Sequence, residues 1–400
     1  MPLSVVFLSR SIAVPSGTAA TQRVSLLARS LMERGNEVRV LVTRVSESPG
    51  QEKNRLSRGS MRGVRFEYTT GTPIRSRYFL MRRLIELRGW VTAAKRLAAM
   101  RRHKRLDCVY LYADETNWSL GRFLFLRLLR LLRVPVVLDM CERPWRLKES
   151  PSLLERAGSP LSLVTGVVAI SSVLADWARS EFARLGHAPS VMKIPILMDH
   201  KEFDAVPRGS VEKQVLFASS PAYSETLEYI VAVMRVVWES HPSCRLIVSG
   251  WPKGSEPPAL QAIDGEFGAN VTMAGFVPRP ELLRLYRQSS LLLAPLFDDV
   301  RSEARFPTKI AEYLGSGRPV VTTSVGEVPR YLTDGETAFV AATADVESFA
   351  RKICEALDDP AKADAVGEAG SRLAASEFDY AVHAERFEAY LRGVSGRGES

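Results

Sequence analysis

The chain alternates short apolar runs with amphipathic stretches of helical spacing. "SVVFLS" near the start is followed by a turn of small residues, "IAVPSGTAAT". Ala20, Val24, Leu27, Ala28 and Leu31 then fall on one helical face, and Gly35 follows. That order predicts a strand, a turn, a helix and a helix stop. "EVRVLVT" is the next strand, and further strand-like runs stand at "DCVYLY", "VPVVLD" and "GVVAIS". A second series begins near residue 211 with "KQVLFAS", "CRLIVSG", "NVTMAGF", "SLLLAP", "PVVTTS" and "AFVAA". These runs are nearly all apolar rather than alternating, the pattern of strands buried on both faces. With helical stretches between most of them, they predict an α/β fold of parallel sheets covered by helices.

The stretch "IPILMDHKEFDAVPRGS" (194–210) interrupts the alternation with prolines and charge and reads as a linker. The expected architecture is two doubly wound, Rossmann-like domains, over 1–200 and 205–375, facing a cleft. Ligands in such sheets bind beyond the carboxyl ends of the strands. Residues 376–400 read as a C-terminal crossing helix and tail, with Val382, Phe387, Tyr390 and Leu391 available to dock on the N-terminal domain.

Composition narrows the class. Charged residues at 25% and hydrophobic ones at 46% describe a globular chain. The four cysteines are far apart and no Cys-x-x-Cys occurs, so neither a disulfide framework nor a zinc knuckle is supported, and a reducing cytoplasm is expected. "MPLSVVFLSR" reads as a first strand rather than a signal peptide. No uncharged apolar run approaches the roughly 20 residues that span a bilayer. The net charge of +9 is concentrated: residues 53–105 carry 16 Lys and Arg against Glu67 and Glu86. A basic segment in an otherwise mildly acidic chain points to an anionic partner.

Candidate chemistry gathers in "EARFPTKIAEYLGSGRPVVTTS", residues 303–324. Thr308 is placed to cap a short helix whose first turn carries Lys309, and Gly315 or Gly317 is placed to end it. Lys309 and Glu312 share a helix face. The N–H groups at the helix start and the lysine suit a phosphate, and Glu312 can accept hydrogen bonds from two adjacent ribose hydroxyls. The competing reading is a solvated Lys309–Glu312 ion pair on an ordinary helix.

Longer motifs carry a resemblance. "KIAEYLGSGRPVVTTSVGEVPRYLTDGETAFV", "VTMAGFVPRPELLRLYRQSSLLLAP" and "GVVAISSVLADWARSEF" resemble conserved-order segments of the GT-B glycosyltransferases of family 4, the retaining, nucleotide-sugar-dependent group. The likeness covers about residues 4–392. It implies that Glu312 binds the donor ribose and that Val277, in the Gly-x-Val run, belongs to the donor site. The family's first glutamate falls at Ala304, with Glu303 one residue earlier as the candidate for a donor-sugar contact; the alternative is a loop carboxylate. After the first strand of the C-terminal domain the family carries a small-residue turn and a lysine that clamps the diphosphate. Here Ser219-Ser220-Pro221 resembles the turn, with Ser220 at the donor, but Tyr223-Ser224 occupy the place of the lysine. Arg305 and Lys309, then Arg301 and Arg23, are the candidate replacements for that countercharge.

In the N-terminal domain "VPSGTAATQR" is similar to the family's glycine loop, with Gly17 at the close approach and Thr18, Thr21 and Arg23 beside it; a plain strand-to-helix turn is the alternative. "VVLDMCERPWR" is expected to put Asp139 and Glu142 at the end of a strand, where the family lines the acceptor side, and Glu142 either orients an acceptor hydroxyl or pairs with Arg143 or Arg146. The five histidines have no paired ligand spacing, so no metal and no other cofactor are expected. By resemblance the reaction retains configuration without an obvious protein nucleophile.

The basic segment has its own period: Leu80, Leu84, Leu87, Val91, Ala94 and Ala98 at helical spacing, with arginines and lysines around them and Trp90 among them. A second arginine–leucine stretch follows at "SLGRFLFLRLLRLLR". An interfacial helix on an anionic membrane fits this pattern; a core stripe with a solvated basic face is the alternative, and nucleic acid is disfavoured because no recognised motif accompanies the charge. The reading is a cytoplasmic glycosyltransferase, peripheral on the inner face of the membrane, acting on a lipid-linked or polysaccharide acceptor. Its rival, which the absent clamp lysine and Ala304 favour, is a non-catalytic protein of the same fold that docks through the basic segment.

Overall fold

A computed structural model of the chain describes residues 1–10, 12–112, 120–142, 160–186, 189–207, 211–252 and 268–397. It forms two compact units. One comprises Met1–Leu197 with Tyr380–Ser400, the other Met198–Asp379.

The first unit is built on eight strands: β1 (Ser4–Ser9), β2 (Glu37–Val42), β3 (Arg58–Met61), β4 (Val64–Tyr68), β5 (Cys108–Tyr112), β6 (Val136–Met140), β7 (Gly166–Ala169) and β8 (Ser190–Lys193). Their order across the sheet is β3-β4-β2-β1-β5-β6-β7-β8. β1, β5, β6 and β7 are buried at every position, as their continuous apolar runs require. Helices α1 (Ala19–Glu33), α2 (Phe79–Arg102), α3 (Leu120–Leu131) and α4 (Ser172–Arg184) connect the strands. All pairings are parallel except β3–β4, a hairpin that the apolar pattern did not reveal. Its turn is Arg62-Gly63, both with positive φ (50° and 86°), the geometry of a tight two-residue hairpin.

The second unit carries six strands, β9 (Glu212–Ala218), β10 (Arg245–Ser249), β11 (Val271–Gly275), β12 (Ser289–Ala294), β13 (Val320–Thr323) and β14 (Phe339–Ala341), in the order β11-β10-β9-β12-β13-β14. Every pairing is parallel. Its helices are α5 (Ser224–Ser240), α6 (Arg279–Gln288), α7 (Val300–Ala304), α8 (Thr308–Gly315), α9 (Val346–Asp358) and α10 (Pro360–Glu377). Both units are Rossmann-like, the doubly wound class that the sequence implies.

The last helix, α11 (Ala384–Val394), returns to the first unit. Phe387 is fully buried and meets Tyr110 edge-on at 5.4 Å between ring centroids. Leu391 is buried, and Tyr390 Oη donates toward the carbonyls of Val167 (3.1 Å) and Ser190 (2.6 Å). Val382 does not dock. It lies before the helix and is 53% exposed.

α2 does not bury its leucine stripe as core, the alternative reading of the segment. Gly89, Ala93 and Leu97 form its buried side, and a Cβ at Gly89 would sit 2.3 Å from the Thr43 carbonyl. Small residues let this helix lie close on the end of β2. Leu80, Leu84, Leu87 and Val91 face outward instead. Trp90 packs on Phe125 of α3, with ring centroids 4.9 Å apart, so it is a helix–helix contact rather than an interfacial anchor.

Candidate functional site

The candidate site of the second unit forms where α7 and α8 meet the end of β9. Asp299 caps α7: its Oδ1 accepts from the Arg301 and Ser302 N–H groups, each at 2.8 Å. On this turn Ala304 is buried and Glu303 is exposed. The carboxylate therefore projects from the turn one residue before the position that the family pattern expects. Gly326, with φ +60°, lets the turn after β13 close on the same backbone, since a Cβ there would lie 2.9 Å from the Glu303 carbonyl.

α8 begins at Thr308 itself, with Pro307 in the cap position and no side-chain cap bond. Thr308 is already the first helical residue, so the expected Thr308 cap is not used. Gly317, at φ +78°, lies just past the end of the helix. Gly315 is inside it, where a Cβ would meet Met198 and Phe203.

Lys309 Nζ donates to the Ala218 carbonyl at the end of β9. Burial pushes this ammonium down to about 8, partly offset by Glu312. Tyr313 Oη accepts from the Ala218 N–H at 3.0 Å. α8 thus grips both backbone groups of Ala218, and Ser219-Ser220-Pro221 continue from there into a short 3-10 turn, Pro221–Tyr223, ahead of α5. Ser220 is partly buried at the start of that turn.

Tyr223 stands beside Ser224, where the resemblance expects the clamp lysine, and two arginines converge on it. Arg305 Nη1 donates to Tyr223 Oη at 3.0 Å, and the Arg301 guanidinium lies 5.2 Å from the ring centroid. The phenol aligns two cations beside the strand end.

Glu312 is 7% exposed and is not a solvated partner of Lys309. Its Oε1 accepts from Arg279 Nη1 at 2.8 Å, and its Oε2 lies 3.5 Å from Tyr286 Oη. Arg279 also binds Glu202 at 2.6 Å. Arg279 opens α6 two residues after Val277, which is partly buried in the segment from β11. Sequence reasoning missed Arg279, Tyr286 and Glu202, and placed Tyr223 without its arginine partners; the "VPRPEL" run was the available signal for the first of these.

The N-terminal candidates belong to the first unit. At Gly17 an added Cβ would lie 2.2 Å from Thr21 Oγ1 and 2.6 Å from the Ala13 carbonyl, so the tight loop itself demands glycine. Arg23 and Asp139 are a structural pair, not ligand-facing groups. They are 3% and 0% exposed, and Arg23 Nε lies 3.0 Å from both carboxylate oxygens. The guanidinium also donates to the Pro195 and Ile194 carbonyls at 2.7 and 3.1 Å. Glu142 is exposed just past β6; Arg143 and Arg146, its suggested partners, lie outside the described residues. Among the described residues no group of three or more His, Cys, Asp or Glu side chains could hold a metal ion.

Residues 212–359 match the family model described as "Glycosyl transferases group 1". In fold, the chain is similar to sucrose-phosphate synthase from Thermosynechococcus elongatus, with a TM-score of 0.68, 16% identity, and 98% and 99% of the two chains covered. Its fold is that of these GT-B structures. A second neighbour, the Anabaena protein HepE solved in complex with UDP and glucose, gives a TM-score of 0.64 at 14% identity, covering 97% and 99%. In sequence, the D-inositol 3-phosphate glycosyltransferase of Streptomyces avermitilis is 27% identical over 168 residues, 40% of this chain and 35% of that protein. The chain spans about a third of the length of that curated relative.

Proposed function

We propose that this protein transfers a sugar from a nucleotide-sugar donor to an acceptor hydroxyl with retention of configuration. The observation that carries this reading is the convergence of Lys309, Arg301 and Arg305 on the end of β9, around Ala218 and Tyr223. Three cations from α7, α8 and the segment between them surround the turn where the family places a diphosphate. They supply the countercharge that the absent lysine would have given. A structural neighbour solved with UDP and glucose supports a nucleotide-sugar donor.

In this reading Glu312, fixed by Arg279, accepts from the ribose hydroxyls. Thr308, Ser220 and Val277 line the donor. Glu303 faces the donor sugar, Gly17 lets backbone approach the donor phosphate or the acceptor, and Glu142 serves the acceptor. The bond from the anomeric carbon to the diphosphate oxygen breaks as the acceptor oxygen bonds to that carbon on the same face. The acceptor proton passes to the leaving diphosphate. The side chains position the reactants and stabilise charge on the leaving group; no metal or other cofactor enters. The acceptor is a lipid-linked or glycan hydroxyl met at the inner face of an anionic membrane.

Thermal denaturation with UDP, GDP, ADP and their sugars tests the reading. One nucleoside diphosphate at 100 times its Kd should stabilise the protein by about 2.7 kcal/mol. No shift with any of them would overturn it.

A further inference from the structure

The first unit contains a second basic site that the donor chemistry does not use. A cavity of about 310 Å³ lies where the loop after β2 and the segment before α2 meet the first turns of α2. It is lined by Arg44, Arg75, Arg82 and Arg83 against Glu47 and Glu86. Its walls are tied by backbone bonds: Ser46 and Glu47 N–H groups donate to the Pro73 carbonyl, and the Arg75 N–H donates to the Glu47 carbonyl, each at 2.9 Å. Both carboxylates are engaged. Glu86 meets Arg44 at 3.5 Å and Arg83 at 3.2 Å, and Glu47 accepts from the Lys53 N–H at 2.9 Å. Arg75 and Arg82 form no ion pair among the described residues. The cavity therefore keeps an excess of positive charge.

Beside it, the same helix turns an apolar stripe outward. Phe79, which lines the cavity, is 57% exposed; Leu80, Leu84 and Leu87 are 75%, 59% and 60% exposed. These leucines are spaced to lie along one helix face. No described helix is long and apolar enough to cross a membrane. A basic cavity alone would fit any small anion, and an apolar stripe alone would fit a second copy of the chain. Joined through Phe79, they match a surface that presents phosphate beside hydrocarbon.

We propose that this corner is a lipid-headgroup site. The cavity takes the phosphate of an anionic membrane lipid, and Phe79, Leu80, Leu84 and Leu87 enter the acyl boundary. The inference rests on the membrane placement proposed above but not on the donor site, which lies in the other unit.

The test is vesicle co-sedimentation of the full chain with phosphatidylcholine alone or mixed with phosphatidic acid. The wild type should bind only the mixed vesicles. Arg75→Gln with Arg82→Gln should weaken that binding by about 25-fold, since each charge near the surface is worth about fivefold. Leu80→Gln with Leu84→Gln should weaken it by at least tenfold, with the remainder removed by salt. Lys95→Gln with Arg96→Gln, on the same helix outside the cavity, should cost less than threefold. All variants should keep the wild-type Tm and the wild-type UDP affinity, so a failed donor site and a failed lipid site are separable. Equal binding to neutral vesicles would overturn the proposal. So would an equal loss from the Lys95/Arg96 control, which would mean a diffuse basic face. Saturable binding of inorganic phosphate without vesicle binding would reduce the cavity to a small-anion site. Displacement from vesicles by RNA, or a dimer that forms through the stripe and excludes vesicles, would likewise overturn it.

Discussion

Arg305 Nη1 donates to Tyr223 Oη across 82 residues of sequence, at 3.0 Å. The phenol orients a guanidinium next to Ser224, where the family pattern calls for a lysine. Tyr223→Phe removes that bond and keeps the ring under Arg301. It should weaken a nucleoside diphosphate by about 0.5–1.5 kcal/mol, the net worth of one hydrogen bond. Arg305→Met and Lys309→Met should each weaken the diphosphate far more than the matching nucleoside, because only the diphosphate needs the charge. Calorimetric titration of both ligands reads the contrast. Equal losses for both would mean that the substitutions disturb the site generally.

Glu312 is held by Arg279 at 2.8 Å. Glu312→Gln keeps the side-chain shape but removes the charge. Nucleoside and nucleoside diphosphate should both lose more than tenfold in affinity, since a hydrogen bond to a charged group is worth about 1.5–3 kcal/mol. Arg279 retains Glu202, so the fold should survive with a loss of about 1–2 kcal/mol. An unchanged nucleoside Kd in the folded variant would remove the ribose role.

Much of this arrangement was legible in local pattern. Eleven of the strands are the apolar runs themselves, most of them without polar interruption because they are buried on both faces. The β3–β4 hairpin was hidden because β4 alternates buried and exposed positions inside the basic segment. In α2 the buried face itself could not be read from the sequence. Its inner face is Gly89, Ala93 and Leu97, where closeness rather than bulk makes the contact, so the conspicuous leucines mark the outer face. The partners of Glu312 and Tyr223 are far away in sequence, and spacing along one helix cannot show them. The lysine–glutamate spacing of α8 was visible, but the pairing was not: burial draws Lys309 to a strand-end carbonyl and leaves Glu312 to Arg279.

Lys309 gives the site a pH dependence. Its ammonium is pushed down to about 8 by burial. Between pH 8 and the ordinary lysine value, about 10.4, the unfolded chain binds more protons, so this group makes stability rise with pH across that window. A bound diphosphate reverses the local balance by favouring the charged form. Binding should therefore take up a proton near pH 8, and affinity for UDP should fall as pH rises above it. Calorimetry in Hepes and in Tris at pH 8 should give different apparent enthalpies, and Lys309→Met should abolish the difference. Identical enthalpies for the wild type would place the diphosphate away from Lys309.

Arg23 separates a structural cation from a ligand-binding one. Its guanidinium is committed to Asp139 and to the Ile194 and Pro195 carbonyls. Arg23→Met would leave Asp139, which is 0% exposed, as an unpaired buried charge. Losing one partner of a buried pair costs about 3–5 kcal/mol. Adding Asp139→Leu removes the stranded charge along with its partner and should recover most of that loss, because replacing both partners by apolar groups is often nearly neutral. Chemical denaturation of the single and double variants measures the two effects. UDP affinity of the folded double variant should equal that of the wild type, since the proposed phosphate countercharge, Arg301, Arg305 and Lys309, comes from the second unit. A tenfold loss of UDP affinity with stability restored would instead make Arg23 part of the phosphate clamp and overturn its assignment as a structural group.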